Sequence, residues 1–276
     1  MRNAVRALKA LIAIGAALIL VAPAAQANIL DAIVVAHRGG ATTKFGEGTL
    51  ASYKESVKNH ADIFDGDIHW TKDSPNDADT VGSILIIHDS TLDRITNCTG
   101  KVSSRLWTYI RDKCRTDVGN QPLIRLKTLV AYANSVGKPI AIEIKQPTIT
   151  DAQAKQLWNT LKYSKAQLES SYTNLPALKK VKKLDAADSS HKINYALVRG
   201  SSPWPSVSTV KSVGSYFHAG LSISASQMRT YRNAGIKVFL FTGKTESDYK
   251  KMADLNPYGV VVDDVQRFQV WRDKQT

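Results

Sequence analysis

The sequence predicts a (β/α)8 TIM barrel of the α/β class, folded as one domain. Three observations predict it. Short apolar, β-branched runs alternate with helical stretches almost to the end of the chain, the pattern of a parallel sheet with crossover connections. Eight or nine strand candidates fall within about 250 residues, the size of one such barrel. No Gly-rich dinucleotide or P-loop fingerprint stands where a doubly wound open sheet would need one. Of the 276 residues, 43% are hydrophobic and 22% charged, a globular composition that excludes a fibrous or disordered chain.

The elements follow in order. Residues 33–36 are a β-branched strand. Residues 49–58 read as a helix with Thr49 as N-cap. Residues 63–70 alternate as a strand, and 84–87 are a second, buried one. Helices are expected at 103–111 and 127–135, the latter ending at Gly137. A strand at 139–144 precedes a helix at 151–163 capped by Thr150. Weaker strands lie at 168–172 and 195–199, and 216–223 is ambiguous. A helix at 225–234 closes at Gly235, followed by strand 237–242, helix 246–255 and strand 259–262. The longest irregular insert, 73–83, is polar and acidic, and is expected to be a surface loop.

Residues 1–27 are expected to lie outside this domain, which then runs from 28 to 276. Arg2, Arg6 and Lys9 precede an apolar run from Ala10 to Ala22. Pro23 breaks that run, and Ala25-Gln26-Ala27 reads as a cleavage site. That is the order of a secretory signal peptide, and the run is too short for a membrane anchor. The protein is therefore expected to be secreted or periplasmic, and monomeric. Loss of this segment, with its three positive charges, lowers the formal charge from +13 to +10. So basic a chain suits an anionic partner, such as a cell-wall polymer, a membrane surface or a charged substrate. No motif points to specific nucleic-acid binding. The cluster Lys179, Lys180, Lys182 and Lys183 reads as a solvated helix face. In an oxidising compartment Cys98 and Cys114 are expected to pair.

The chemistry gathers at the carboxyl ends of the strands, where barrel sites are built. His37-Arg38-Gly39-Gly40 follows the first strand, Asp65-Gly66-Asp67 lies in the second, His88-Asp89 follows the third, and Glu143-Ile144-Lys145 ends the fourth. Alternation places Asp65 and Asp67 on one face, and likewise Glu143 and Lys145. Three converging carboxylates repel unless a cation sits among them, and an all-oxygen set selects one Ca²⁺ or Mg²⁺. His37 and His88 can then act as acid and base, while Arg38 and Lys145 hold a phosphate. Together they make a metal-assisted phosphoryl-transfer site.

These motifs give the chain a family resemblance. With Glu47-Gly48-Thr49, Thr71-Lys72-Asp73, the run from Thr91 to Asn97, and a weaker match at 239–242 and 259–263, it resembles glycerophosphodiester phosphodiesterases. The resemblance implies a TIM barrel that hydrolyses glycerophosphodiesters to glycerol 3-phosphate and an alcohol. It implies that Asp65, Asp67 and Glu143 bind the metal, His37 and His88 form the acid–base pair, Arg38 and Lys145 hold phosphate, and Glu47 supports the site. Three positions depart from the family. Asp65 stands where Glu is usual, Gly48 replaces Asn and is expected to loosen the loop presenting Glu47, and Phe241 replaces a common Trp. A sphingomyelinase D-type phospholipase D is the alternative enzyme, though that group usually lacks the Arg-Gly after the first histidine. A basic wall-binding protein with a decayed site is the alternative of another class. His69 is expected to be a supporting or structural histidine. His60, His191 and His218 are expected to be surface or structural, and Asp89 and Asp93 to bond local loops.

Overall fold

The computed structural model describes residues 29–73, 81–188 and 193–275. The expected signal peptide, His191 and most of the insert at 73–83 lie outside the described residues. The strands are β1 (Ile33–Ala36), β2 (Ile63–Trp70), β3 (Ile84–Ile86), β4 (Ile140–Ile144), β5 (Ala166–Ser171), β6 (Asn194–Arg199), β7 (Tyr216–Gly220), β8 (Lys237–Gly243) and β9 (Gly259–Val262). All but β3 close a ring in the order β1-β2-β4-β5-β6-β7-β8-β9, and every pairing in it is parallel. Helices follow each ring strand. This is the expected (β/α)8 barrel. Among the described residues no helix is long and apolar enough to cross a membrane.

The expected third barrel strand is a correction. β3 runs antiparallel to the outer part of β2, with Ile84 opposite Trp70 and Ile86 opposite Ile68. β2 overshoots β4, whose last residue, Ile144, lies opposite Ile68, and β3 covers the overshoot. A short apolar run does not report its own direction. The reversal has a use. The chain climbs along β2, descends along β3, and donates Ile87 N–H to the Asp67 carbonyl at 2.9 Å. His88 therefore arrives at the level of Asp67.

The stretch from β3 to residue 125 forms a small satellite with its own core. Leu85, Ile87, Leu92, Val102, Trp107, Ile110 and Leu123 pack around Cys98 and Cys114. The two cysteines form the expected disulfide, with Cα atoms 5.4 Å apart.

Helices are nucleated where the sequence offers caps. Thr49 accepts from the Ser52 N–H, and Thr150–Gln153, Ser224–Gln227 and Thr245–Asp248 are reciprocal capping boxes. Helices beyond those expected are the single turn Thr42–Phe45, Val207–Val213, whose β-branched composition hides it, and Val265–Asp273. The last buries Val265, Phe268 and Trp271. The basic cluster is more than a solvated face. Lys180 bonds Asp151 and the Ile149 carbonyl, and Lys182 bonds the Ser212 and Val213 carbonyls, so both tie the helix Leu175–Ala186 to its neighbours.

The barrel has two interiors. Outward residues such as Phe64, Ile142, Leu168, Leu197, Phe217, Leu240 and Val260 form the main core under the helices. Inside the ring, Val35, Phe239 and Val261 are the buried apolar group. Above them the inner face carries the charged side chains Asp65, Asp67, Glu143 and Glu169 among apolar ones such as Val198 and Phe241.

Candidate active site

The turn after β1 is dictated by its sequence. Arg38 adopts a left-handed conformation, φ 49°, followed by Gly39 at 108° and Gly40 at 67°. A Cβ at Gly39 would come within 2.6 Å of Ser52 Oγ, and one at Gly40 within 2.6 Å of the Val265 side chain. Only glycine fits there. The strained arginine is held by two bonds. Its N–H donates to Asp65 Oδ2 at 3.0 Å, and its carbonyl accepts from the Gly48 N–H at 2.7 Å. Gly48 therefore does not loosen its loop. At φ 69°, with a Cβ position 3.0 Å from the Ile86 carbonyl oxygen, it is a tight fixed turn.

The inner face of the ring gathers the carboxylates. Register places Asp67 opposite Glu143 and Glu143 opposite Glu169. Asp65 and Asp67 are buried. Burial pushes the Asp65 carboxyl up to about 6, aided by Asp67 and opposed by His37 and Arg38. Burial likewise pushes Glu143 up to about 7 against the pull of Lys145. Burial would raise Asp67 too, but Lys145 and Arg38 outweigh it and hold it below the usual range.

The two cations predicted to hold phosphate are engaged by these carboxylates. Lys145 Nζ lies 2.7 Å from Glu143 Oε2 and 3.0 Å from Asp67 Oδ1. Arg38 Nε lies 3.1 Å from Asp67 Oδ2, and its Nη1 donates to Glu47 Oε2 at 3.1 Å. Glu47 thus supports the site by orienting Arg38.

Each predicted catalytic histidine has an aspartate on Nδ1. His37 bonds Asp263, just past β9. His88 bonds Asp89 at 2.7 Å. In both, Nε2 is left for the cavity. Burial alone would lower the His37 pKa, but the Asp263 hydrogen bond and the Asp65 charge outweigh it, and the ring is held above its ordinary value. For His88 burial prevails over Asp67 and Asp89, and the value is lowered. Asp89 continues outward. Arg94 Nε donates to Asp89 Oδ2 at 2.6 Å, and its Nη atoms reach Glu47 at 2.7 and 3.1 Å. A chain of charge-assisted bonds therefore runs from His88 through Asp89, Arg94 and Glu47 to Arg38.

All seven predicted catalytic, metal and phosphate residues line one cavity of about 430 Å³, as does Glu47. Arg94 and Asp263 join the site as well, both inside the motifs that carry the family resemblance, at 91–97 and 259–263. Glu169 also lines the cavity, and His218, expected to be surface or structural, is a buried side chain of its wall. The signal for Glu169 was a lone acidic residue in an otherwise buried strand. His69 does have a supporting role, its Nε2 lying 3.1 Å from the His88 carbonyl oxygen. Asp93 accepts from the Gly100 N–H at 2.9 Å, as a local loop bond. Trp204 packs edge-on against Phe217 in the core.

The donor set suits a hard divalent ion. Asp67 Oδ2 is buried and accepts no hydrogen bond, and Asp65 and Glu143 crowd the same wall with oxygen donors. Among the described residues no three such side chains are yet drawn together around an ion-sized point. Lys145 stands between Asp67 and Glu143 instead.

The family model for the glycerophosphoryl diester phosphodiesterase family matches residues 37–267. The chain belongs to that family. Among curated relatives, glycerophosphodiester phosphodiesterase 1 of Bos taurus is 30% identical over 118 residues, 40% of this chain and 33% of that protein. Glycerophosphodiester phosphodiesterase of Bacillus subtilis is 31% identical over 134 residues, 48% of this chain and 39% of that protein. The chain thus spans well under half the length of these relatives. The fold is shared more widely. An Oleispira antarctica phosphodiesterase, solved with the product sn-glycerol-3-phosphate, superposes with a TM-score of 0.73 at 20% identity, covering 87% of this chain and 96% of that one. The glycerophosphodiester phosphodiesterase of Thermotoga maritima gives 0.65 at 22% identity over 86% and 96%.

Proposed function

We propose that this family member is an exported hydrolase that cleaves glycerophosphodiesters to glycerol 3-phosphate and an alcohol. The observation that carries the reading is the meeting of two aspartate-oriented histidines, two cations and three carboxylates in one cavity. His37 and His88 serve as the acid–base pair, one taking a proton from the attacking hydroxyl and the other giving one to the leaving alcohol through Nε2. Asp65, Asp67 and Glu143 would hold one Ca²⁺ or Mg²⁺, which when bound supplies Lewis-acid stabilisation of charge on the phosphate. Arg38 pairs with Asp67, and Lys145 with Asp67 and Glu143. With the carboxylates neutralised otherwise, the same two side chains turn their charge to the phosphate oxygens. Export is supported by the amino-terminal sequence pattern and by the Cys98–Cys114 disulfide, which belongs to an oxidising compartment. The basic charge also suits an anionic wall polymer or membrane surface as the place of action.

The test is product analysis on glycerophosphocholine, lysophosphatidylcholine and sphingomyelin, with and without EDTA. Glycerol 3-phosphate and choline from the first substrate are expected. Cleavage confined to sphingomyelin or lysophosphatidylcholine would overturn the reading in favour of a phospholipase D.

A further inference from the structure

Three buried polar side chains in the barrel take no part in the chemistry above. Glu169 in β5 lies opposite Glu143 in β4, on the same inner face. β6 places Ala196 beside Glu169, and β7 brings in His218 opposite Val198. The small Ala196 leaves the gap across which Glu169 Oε1 meets His218 Nε2 at 3.1 Å. Gln167 Nε2 donates to the same Oε1 at 2.7 Å and lies 2.9 Å from His218 Nε2. His218 in turn stacks on Phe239, the ring centroids 4.8 Å apart and the planes at 15°. Glu169, His218 and Gln167 are 2%, 4% and 9% exposed. Barrel interiors are ordinarily filled with apolar layers, and burying such groups is costly.

Glu169 and His218 also line the cavity that holds His37 and His88, beside the apolar Val198, Phe241 and Val261. Both are buried, and His218 stacks on Phe239 of the apolar group that fills the ring below, so they form its closed end. The mouth is marked by Arg94 and Lys244, whose side chains are 49% and 65% exposed. In a glycerophosphodiester the alcohol varies and the glycerol does not, so the constant part suits the closed end. A buried polyol needs partners for its hydroxyls.

We propose that Glu169, oriented by His218 and Gln167, holds the terminal hydroxyl of the substrate's glycerol and so determines specificity for glycerol. This rests on the hydrolase reading above. The test compares glycerophosphocholine with an analogue whose terminal hydroxymethyl is a methyl, which keeps the hydroxyl next to the esterified carbon. The unmodified chain is expected to show kcat/KM lower by roughly 10- to 100-fold on the analogue, the usual consequence of leaving a buried polar group unpaired. Glu169→Leu fills the site with an apolar side chain of similar size. It is expected to lower kcat/KM on glycerophosphocholine, chiefly through KM, and not to lower it on the analogue, whose methyl then meets no unpaired buried carboxyl. Equal losses on both substrates, or none on either, would overturn the proposal. If Glu169→Leu does not fold, Glu169→Gln must still lose more on glycerophosphocholine than on the analogue, and equal losses there overturn it as well. Equal cleavage of both substrates by the unmodified chain defeats the proposal alone. Cleavage of neither defeats the hydrolase reading and this proposal with it.

Discussion

His37, the residue after the first barrel strand, hydrogen-bonds through Nδ1 to Asp263, the residue after the last. β1 and β9 are parallel neighbours in register, Ala36 opposite Val262, so closure of the barrel places the two side by side. The aspartate fixes the tautomer and the direction of the imidazole, as a carboxylate does in other histidine-based sites.

Asp263→Asn should therefore lower kcat by at least ~10²-fold, since it removes the group that orients a positioned acid–base residue. The sign of the pH effect follows as well. Asp263 raises the His37 pKa, so its neutralisation should move the His37 limb of the pH–rate profile toward acid. An unshifted profile with an unchanged kcat would remove His37 from the acid–base pair.

Much of this was legible in the sequence, for identifiable reasons. Most ring strands were readable because their outward residues are apolar, while β7 stayed ambiguous and β5 and β6 weak because polar residues such as Glu169 and His218 interrupt them. His37, Asp65, Asp67 and Glu143 were readable because charged side chains at strand ends in a parallel barrel have few places to go but the mouth. The direction of β3 was not readable, since it is set by the overshoot of β2 and not by the residues of β3. The arginine bridge to Glu47 was not readable either, because it spans 47 residues and depends on how the satellite packs. His218 has no local motif, and only the register of β5, β6 and β7 makes it a wall of the site.

Chelation should abolish turnover, and Ca²⁺ or Mg²⁺ should restore it. Burial keeps Asp65 and Glu143 protonated to higher pH than ordinary carboxyls, and ligands must lose their protons to bind. Thermal stabilisation by the added ion should therefore grow between about pH 5 and about pH 8. A pH-independent shift, or full activity after exhaustive chelation, would remove the metal role from these carboxylates.

The disulfide closes the satellite that presents Arg94. Reduction should destabilise the chain by about 3 kcal/mol on the chain-entropy account of a loop this long. That corresponds to a fall in Tm on the order of 10 °C for a domain of this size. Calorimetry with and without reductant, after mass spectrometry of the oxidised protein, checks it. Two free thiols in protein secreted by its host would refute the bridge in the native molecule.

Arg94 ties Asp89 to Glu47 through a planar fork, which a lysine's single charge does not reproduce. Arg94→Lys should lower kcat by about tenfold while leaving folding intact, because Glu47 and Asp89 lose their shared anchor and with it Arg38 and His88 lose theirs. Circular dichroism alongside kcat separates this from misfolding. An Arg94→Lys enzyme with native kcat would show that the bridge is only structural.

The remaining prediction concerns the nucleophile. The strand-end motifs His37–Gly40, Asp65–Asp67, His88–Asp89 and Glu143–Lys145 contain no serine, threonine or cysteine, which points to water or the substrate's own hydroxyl as attacker. A glycerophosphodiester carries a hydroxyl on the carbon next to the esterified one. Attack from within the molecule needs no second body to be oriented, and effective molarities for such steps reach about 10⁵ M or more. One histidine would take the hydroxyl proton, the other would protonate the leaving alcohol, and a five-membered cyclic phosphate would form. Its hydrolysis would then run with the two roles reversed. The two aspartate-held histidines, each with Nε2 left for one cavity, suit such an exchange of roles. Replacing either histidine by alanine should lower kcat by at least ~10²-fold, and replacing both should lower it by much less than the product, because the two act as a unit. A 2-deoxy analogue of glycerophosphocholine should bind but turn over far more slowly, the loss falling on kcat and not on KM. Phosphorus NMR during turnover of the natural substrate should show the cyclic phosphate as a transient where its release competes with hydrolysis. Cleavage of the 2-deoxy analogue at the normal rate would exclude the internal attack and leave water as the nucleophile.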